Sequence, residues 1–154
     1  MKLWRLTRLP FAALDGAGPQ VHGARYSSPG LPVVNFTSEP GLSVLVALRY
    51  LPGDLAGIDD DYVLGWTEVD AVPEPVPAAT EEASIRAFVD QWLKSRRSLL
   101  AAIPSRVLPE ADIVMMNPLH PGAASVLPLT LRPFSFAQCL HSPPMLGRYG
   151  SADR

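Results

Sequence analysis

The segment Gly23-Ala24-Arg25-Tyr26-Ser27 sets an arginine and an aromatic ring among small residues, just ahead of the Pro29-Gly30 turn. A guanidinium in that setting can grip phosphate or carboxylate oxygens through its planar fork, while the adjacent ring stacks on a flat group. The same residues also suit a surface arginine at a strand end. Ile103-Pro104-Ser105-Arg106 places a hydroxyl in an apolar strand, where Ser105 needs a hydrogen-bond partner or else caps a turn. Asn117-Pro118-Leu119-His120-Pro121 reads as a rigid turn in which Asn117 bonds its own backbone.

Other site chemistries find no support. The phosphate-binding pattern G-x-x-x-x-G-K-[ST], the dinucleotide pattern G-x-G-x-x-G, H-E-x-x-H and G-x-S-x-G are all missing from the sequence. His22, His120 and His141 lie far apart, and Asp59-Asp60-Asp61 lacks the alternating oxygen ligands of a calcium loop, so it reads as a solvated turn. No metal is expected. Cys139 is the single cysteine, which excludes a disulfide scaffold and a cysteine-ligated zinc site.

The elements that must carry these residues belong to one domain. The 154 residues leave no room for two independent cores. Apolar residues make up 47%, as in a soluble globule, and charged residues only 18%. The net charge of −2 argues against direct nucleic-acid binding, which works by neutralising phosphates. Seventeen prolines force extended segments and tight turns, against an all-helical bundle. Lys2, Arg5 and Arg8 interrupt the apolar N-terminus, and Gly41–Leu51 is too short to span a bilayer. A cytoplasmic protein without membrane contact is expected.

The pattern along the chain predicts strands over Lys2–Leu6, Val21–Tyr26, Leu31–Phe36, Tyr62–Val69, Ile103–Leu108, Ile113–Met116, Val126–Leu131 and Phe134–Phe136. Loops fall at Asp15–Pro19 and Ser27–Gly30, and Pro73–Pro77 is a stiff connection. A helix runs from Glu39-Pro40-Gly41 through Leu51 and stops at Pro52-Gly53. A second helix follows Thr80 as its N-cap, with Ile85, Phe88, Val89, Trp92 and Leu93 as its apolar stripe. The fold class is α+β: a strand-rich body with a few helices over residues 1–140, and a flexible tail over 141–154.

Taken in order, Leu3-Trp4-Arg5-Leu6, Gly23 to Ser27 with Pro29-Gly30, and Val33 to Glu39 resemble the RES-domain family. The likeness continues through Leu42–Leu51, the Trp92 helix, Ile103-Pro104-Ser105 and Met116 to Pro121, covering most of residues 3–140. The resemblance implies a fold like that of the ADP-ribosyltransferases and a bacterial toxin paired with a helix-turn-helix antitoxin. It implies NAD as substrate, consumed by glycohydrolysis, by phosphorolysis or by transfer of ADP-ribose to a protein. Arg25 carries over as the family arginine and Ser105 as the family serine, with Tyr26 as the aromatic that follows the arginine. The family tyrosine falls at Asn35, or at Phe36 after a one-residue shift that matches Phe36-Thr37-Ser38-Glu39 to Y-T-S-E. The NAD-binding set is therefore Arg25, Tyr26, Asn35, Phe36 and Ser105, with Arg25 and Ser105 the catalytic pair.

One departure bears on the reaction. Counting along the helix, the family glutamate lands on Val46, and valine neither stabilises a developing cation nor accepts a proton. Glu39 or one of Asp59, Asp60 and Asp61 is the candidate replacement. The leading reading is an NAD-consuming toxin of altered chemistry. Against it stand a catalytically degenerate member that keeps antitoxin binding, and an unrelated proline-rich binding module.

Overall fold

The computed structural model describes residues 1–51, 57 and 59–141. They form one seven-stranded sheet in the order β4-β5-β6-β2-β1-β3-β7. The strands are β1 (Lys2–Arg8), β2 (Val34–Thr37), β3 (Tyr62–Glu68), β4 (Glu74–Pro75), β5 (Leu100–Pro104), β6 (Asp112–Met116) and β7 (Thr130–Pro133). Every pairing is antiparallel except β4 with β5. Four helices accompany them: α1 (Ala17–His22), α2 (Pro40–Leu48), α3 (Glu82–Ser95) and α4 (Phe136–His141). The class is α+β, as the sequence pattern requires.

The pleat divides the core in two. Ala101 and Ile103 of β5 and Ile113 and Met115 of β6 face α3, where they meet Ile85, Val89, Trp92, Leu93 and Tyr26. Their strand neighbours Leu100, Val114 and Met116 face the other way and pack with Leu3, Val34 and Phe36. The α3 stripe is as the 3.6-residue period demands. The cap differs: Glu81 occupies that position without a side-chain cap bond, and Thr80 lies just outside.

Further segments depart from the sequence pattern. Val21 belongs to α1, where it is 68% exposed, and no strand runs over 21–26. Gly23 ends α1 at φ +74°, and a Cβ there would press on Pro29 and the Ser27 carbonyl, so the chain turns instead of extending. β5 stops at Pro104, because Ser105 begins a turn that closes back to Ala111. The predicted strands at 126–131 and 134–136 give way to β7, with Phe136 starting α4. Within the connection at 73–77, β4 adds two residues to the sheet edge. α2 ends at Leu48, short of Leu51, while Pro52-Gly53 and residues 142–154 of the expected tail lie outside the described residues.

Asn117 ties the end of β6 to α3. Fully buried, it donates from Nδ2 to the Leu93 carbonyl at 2.8 Å and accepts from the Leu119 N–H at 3.0 Å. Replacing it by alanine strands both backbone groups away from water. Asn117→Ala should lower stability by about 2–4 kcal/mol, read as a drop in the urea midpoint; a change under about 0.5 kcal/mol would contradict that role.

Candidate active site

Arg25 and Tyr26 occupy the tip of a tight turn closed by the Ala24 N–H to Ser27 carbonyl bond (2.9 Å). α3 holds that turn from the side. Glu82, Arg86 and Asp90 recur at i, i+4 and i+8, so they line one face of the helix. Glu82 Oε1 accepts from Arg25 Nε at 2.7 Å and lies 2.6 Å from its NH2. Arg86 donates to the Arg25 carbonyl at 2.9 Å. Asp90 accepts from the Ser28 N–H at 2.9 Å and from its hydroxyl at 2.6 Å. None of these three residues is legible as a site residue from the sequence, where α3 reads only as a core helix; their spacing was the available signal.

The turn faces a cavity of about 470 Å³, within the usual range for small-molecule sites. Arg25, Tyr26, Asn35, Phe36 and Ser105 all border it, and so does Val46. They contribute unequally. Tyr26 is 7% exposed, and its ring lies 5.2 Å below the Arg25 guanidinium, a cation–π support for that side chain. The pleat separates Asn35 from Phe36: Asn35 pairs with Met115 and shares its face, toward Tyr26, whereas Phe36 is 1% exposed within the opposite core. Asn35 is thus the residue of the two whose side chain stands on the Tyr26 side. Ser105 is 4% exposed; its Oγ accepts from the Val107 and Leu108 N–H groups, as a turn cap does. Its hydroxyl proton has no acceptor among the described residues.

Thr37 and Ser38 have structural work. Thr37 Oγ1 donates to the Glu39 carbonyl at 2.7 Å and meets Ser43 Oγ at 2.6 Å, which pins the start of α2 beneath the cavity. Ser38 Oγ accepts from the Asp112 N–H. The four acids suggested as replacements for the glutamate do not border the cavity. Glu39 is exposed at the start of α2, Asp59 caps α4 through the Phe136 N–H and the Ser135 hydroxyl, and Asp61 pairs with Arg8.

Charge is the cavity's strongest feature. Arg8, Arg25, Arg49 and Arg106 border it, and among the described residues no aspartate or glutamate does; Arg5 is at its border too, but its side chain is turned to the Leu3 face, on the other side of the sheet. A chain of net charge −2 has therefore set four of its eleven arginine side chains around this hollow. Sequence reading singled out only Arg25. Behind the wall, the hydrogen bond from Arg25 holds the Glu82 carboxyl below the ordinary carboxylate range, against slight desolvation, with the charges of Arg25, Arg106 and Arg86 adding to the effect. Among the described residues no cluster of three histidine, cysteine, aspartate or glutamate side chains could hold a metal ion. No helix among them is long and apolar enough to cross a membrane.

A depressed carboxylate pKa gives stability that is complete above the unfolded value, about 4.3 for glutamate, and is lost as pH falls through the lowered folded value. Glu82→Gln should consequently flatten the acid limb of the stability–pH curve, measured by thermal melting between roughly pH 5 and 2. An unchanged limb would mean that the Arg25–Glu82 pair does not persist in solution.

Comparison with known proteins agrees with this architecture. The family model described as the RES domain matches residues 2–137. The chain is similar to the Prs ADP-ribosylating toxin of Sphingobium sp. (strain YBL2), 31% identical over 126 residues, covering 73% of this chain and 77% of that protein. It is similar to Toxin Res of Photorhabdus laumondii subsp. laumondii, 26% identical over 129 residues, covering 77% and 83% respectively. Its fold is like that in the crystal structure of the M. tuberculosis MbcT–MbcA toxin–antitoxin complex, with a TM-score of 0.64 at 15% identity, covering 94% of this chain and 88% of that one. With the matched family model spanning nearly every described element, the chain belongs to the RES domain family.

Proposed function

We propose that this protein is the toxin of a toxin–antitoxin module and that its cavity takes NAD as substrate. The observation that carries the reading is the hollow bordered by Arg25, Asn35 and Ser105 together with Arg8, Arg49 and Arg106 and, among the described residues, no acid. Such a wall suits a dinucleotide, whose pyrophosphate needs cations and whose rings need apolar surface. Arg25 supplies the fork, held at one edge by Glu82 so that its other edge is left for phosphate oxygens. Arg106, which reaches the same carboxylate at 3.6 Å, adds charge beside it. Ser105 offers its uncommitted hydroxyl proton to a ribose or phosphate oxygen. The names of the relatives, an ADP-ribosylating toxin and Res toxins, point to the same class.

The reaction would break the bond between ribose C1′ and the nicotinamide nitrogen. The electron pair leaves with nicotinamide, positive charge develops on the sugar, and water, phosphate or a protein side chain captures the carbon. A carboxylate against that sugar lowers the barrier, and here Val46 borders the cavity where the family pattern places glutamate. The missing carboxylate favours a second reading of the same site: NAD is bound but scarcely turned over, and antitoxin binding is kept. The partner would be a helix-turn-helix antitoxin that covers the cavity in the cytoplasm and supplies any contact with DNA.

Arg25→Ala should weaken NAD binding in calorimetry by about tenfold or more, and Arg25→Lys should restore part of it because the fork is lost but the charge kept. Equal affinity in wild type and the alanine variant would remove Arg25 from the site. Val46→Glu should raise NAD consumption, by up to about 10²-fold if the new carboxylate ionises against the sugar. A brisk wild-type rate that this substitution lowers would show that another acid serves the reaction.

A further inference from the structure

Trp4, Tyr26, Phe36, Tyr50 and Tyr62 are the aromatic residues that border the cavity. Four of these rings are already engaged. Trp4 lies against Trp66 with centroids 5.6 Å apart, and the Lys2 ammonium stands 4.7 Å over its ring. Tyr26 is buried beneath the Arg25 guanidinium, so the ring next to Arg25 in the chain is covered by it. Phe36 sits in the core on the other face of the sheet. Tyr62 meets Phe136 edge to face at 4.9 Å. Tyr50 is unlike the others. It is 67% exposed, and among the described residues neither a ring nor a cation lies over it.

The backbone sets where that ring stands. α2 ends at Leu48, and the Tyr50 N–H donates to the Ala47 carbonyl at 3.0 Å, which carries the helix on by one tight turn. Val46, one turn back and less exposed, borders the same cavity. Burial works to lower the Arg25 pKa, yet the Glu82 hydrogen bond and the Tyr26, Glu82 and Tyr50 groups raise it, so the Tyr50 phenol lies within electrostatic reach of the guanidinium. An open ring beside the arginine that grips a pyrophosphate can stack a flat ring joined to that pyrophosphate. NAD has two such rings, and charge tells them apart. Its nicotinamide is a cationic pyridinium, whereas its adenine is neutral. Arg49, Arg25 and Arg106 border the cavity with Tyr50, and among the described residues no acid does. A pyridinium on Tyr50 would stand among guanidiniums with nothing to offset the repulsion, and adenine meets no such cost.

We infer that Tyr50 is the platform on which the adenine ring of the dinucleotide stacks at the open side of the cavity, while Arg25 holds the pyrophosphate. The identity of the ligand rests on the NAD reading above; the choice of Tyr50 rests on its open ring, and the choice of adenine on the charge around it. The phenol hydroxyl has no part in the stacking, so the ring alone carries the effect.

Calorimetry on the full chain separates the outcomes, using NAD, ADP-ribose and AMP as probes and wild type, Tyr50→Phe and Tyr50→Ala as hosts. Tyr50→Ala should weaken NAD and ADP-ribose by the same factor, about tenfold, and Tyr50→Phe should stay within about threefold of wild type. ADP-ribose has no nicotinamide, so a loss shared by both probes falls on the adenine half, and AMP should follow the same order. Thermal melting checks that each variant folds. A loss for NAD without one for ADP-ribose would put nicotinamide on Tyr50 and overturn the inference. So would a phenylalanine variant as weak as the alanine one, because the hydroxyl would then be the contact. NAD binding that ignores Tyr50 altogether removes the platform and leaves the NAD reading in place. Should NAD fail to bind wild type while AMP still depends on the Tyr50 ring, the NAD reading falls and the adenine platform stands; if none of the three probes binds, both fall.

Discussion

Glu82, Arg86 and Asp90 lie one above another on α3, and each directs polar atoms at the turn that carries Arg25. Ile85, Val89 and Trp92, one step around the helix, sink into the sheet and fix the height and rotation of that polar row. A turn of four residues has little hold on its own conformation. Here backbone, hydroxyl and guanidinium are each met from a rigid element, so the cation at the cavity wall stands where the core places it. The position of Arg25 is in this sense a consequence of how Trp92 packs.

The cavity then inherits an electrostatic bias that the whole chain does not have. Acids are present nearby, but Asp61 and Glu82 stand behind arginines and share their charge, and Asp59 is turned to a helix end. The hollow holds positive charge with its compensation kept on the outer side. Such a field favours the ground state of an anionic ligand. It does little for a sugar that becomes cationic as a bond breaks, and Val46 adds only apolar surface. Binding strength and catalytic power are thereby set by different residues, on different elements.

How much of this the sequence reveals depends on the range of the interactions. α3, β3 and β6 follow from periodicity, because each buries a continuous stripe. The three residues Arg25, Asn35 and Ser105 are readable through family resemblance, and the cavity border unites them. α1 escapes notice because six residues are too few for a period, and its limits are set by Gly16 and Gly23 at positive φ. Ser105 leaves its strand because the turn back to Ala111 is a tertiary matter.

The ends of the sheet have their own bearing on how the protein meets others. β4 is two residues long and contains Pro75, while β7 is four residues long, exposed throughout, and closes on Pro133. A proline has no N–H to offer a neighbouring ladder, and so short a strand gives an incoming chain few bonds. Neither rim is a template on which a stray extended peptide, or another copy of the protein, could zip itself as an eighth strand. Recognition at these two margins is left to side chains, which can discriminate between visitors in a way that a bare backbone cannot.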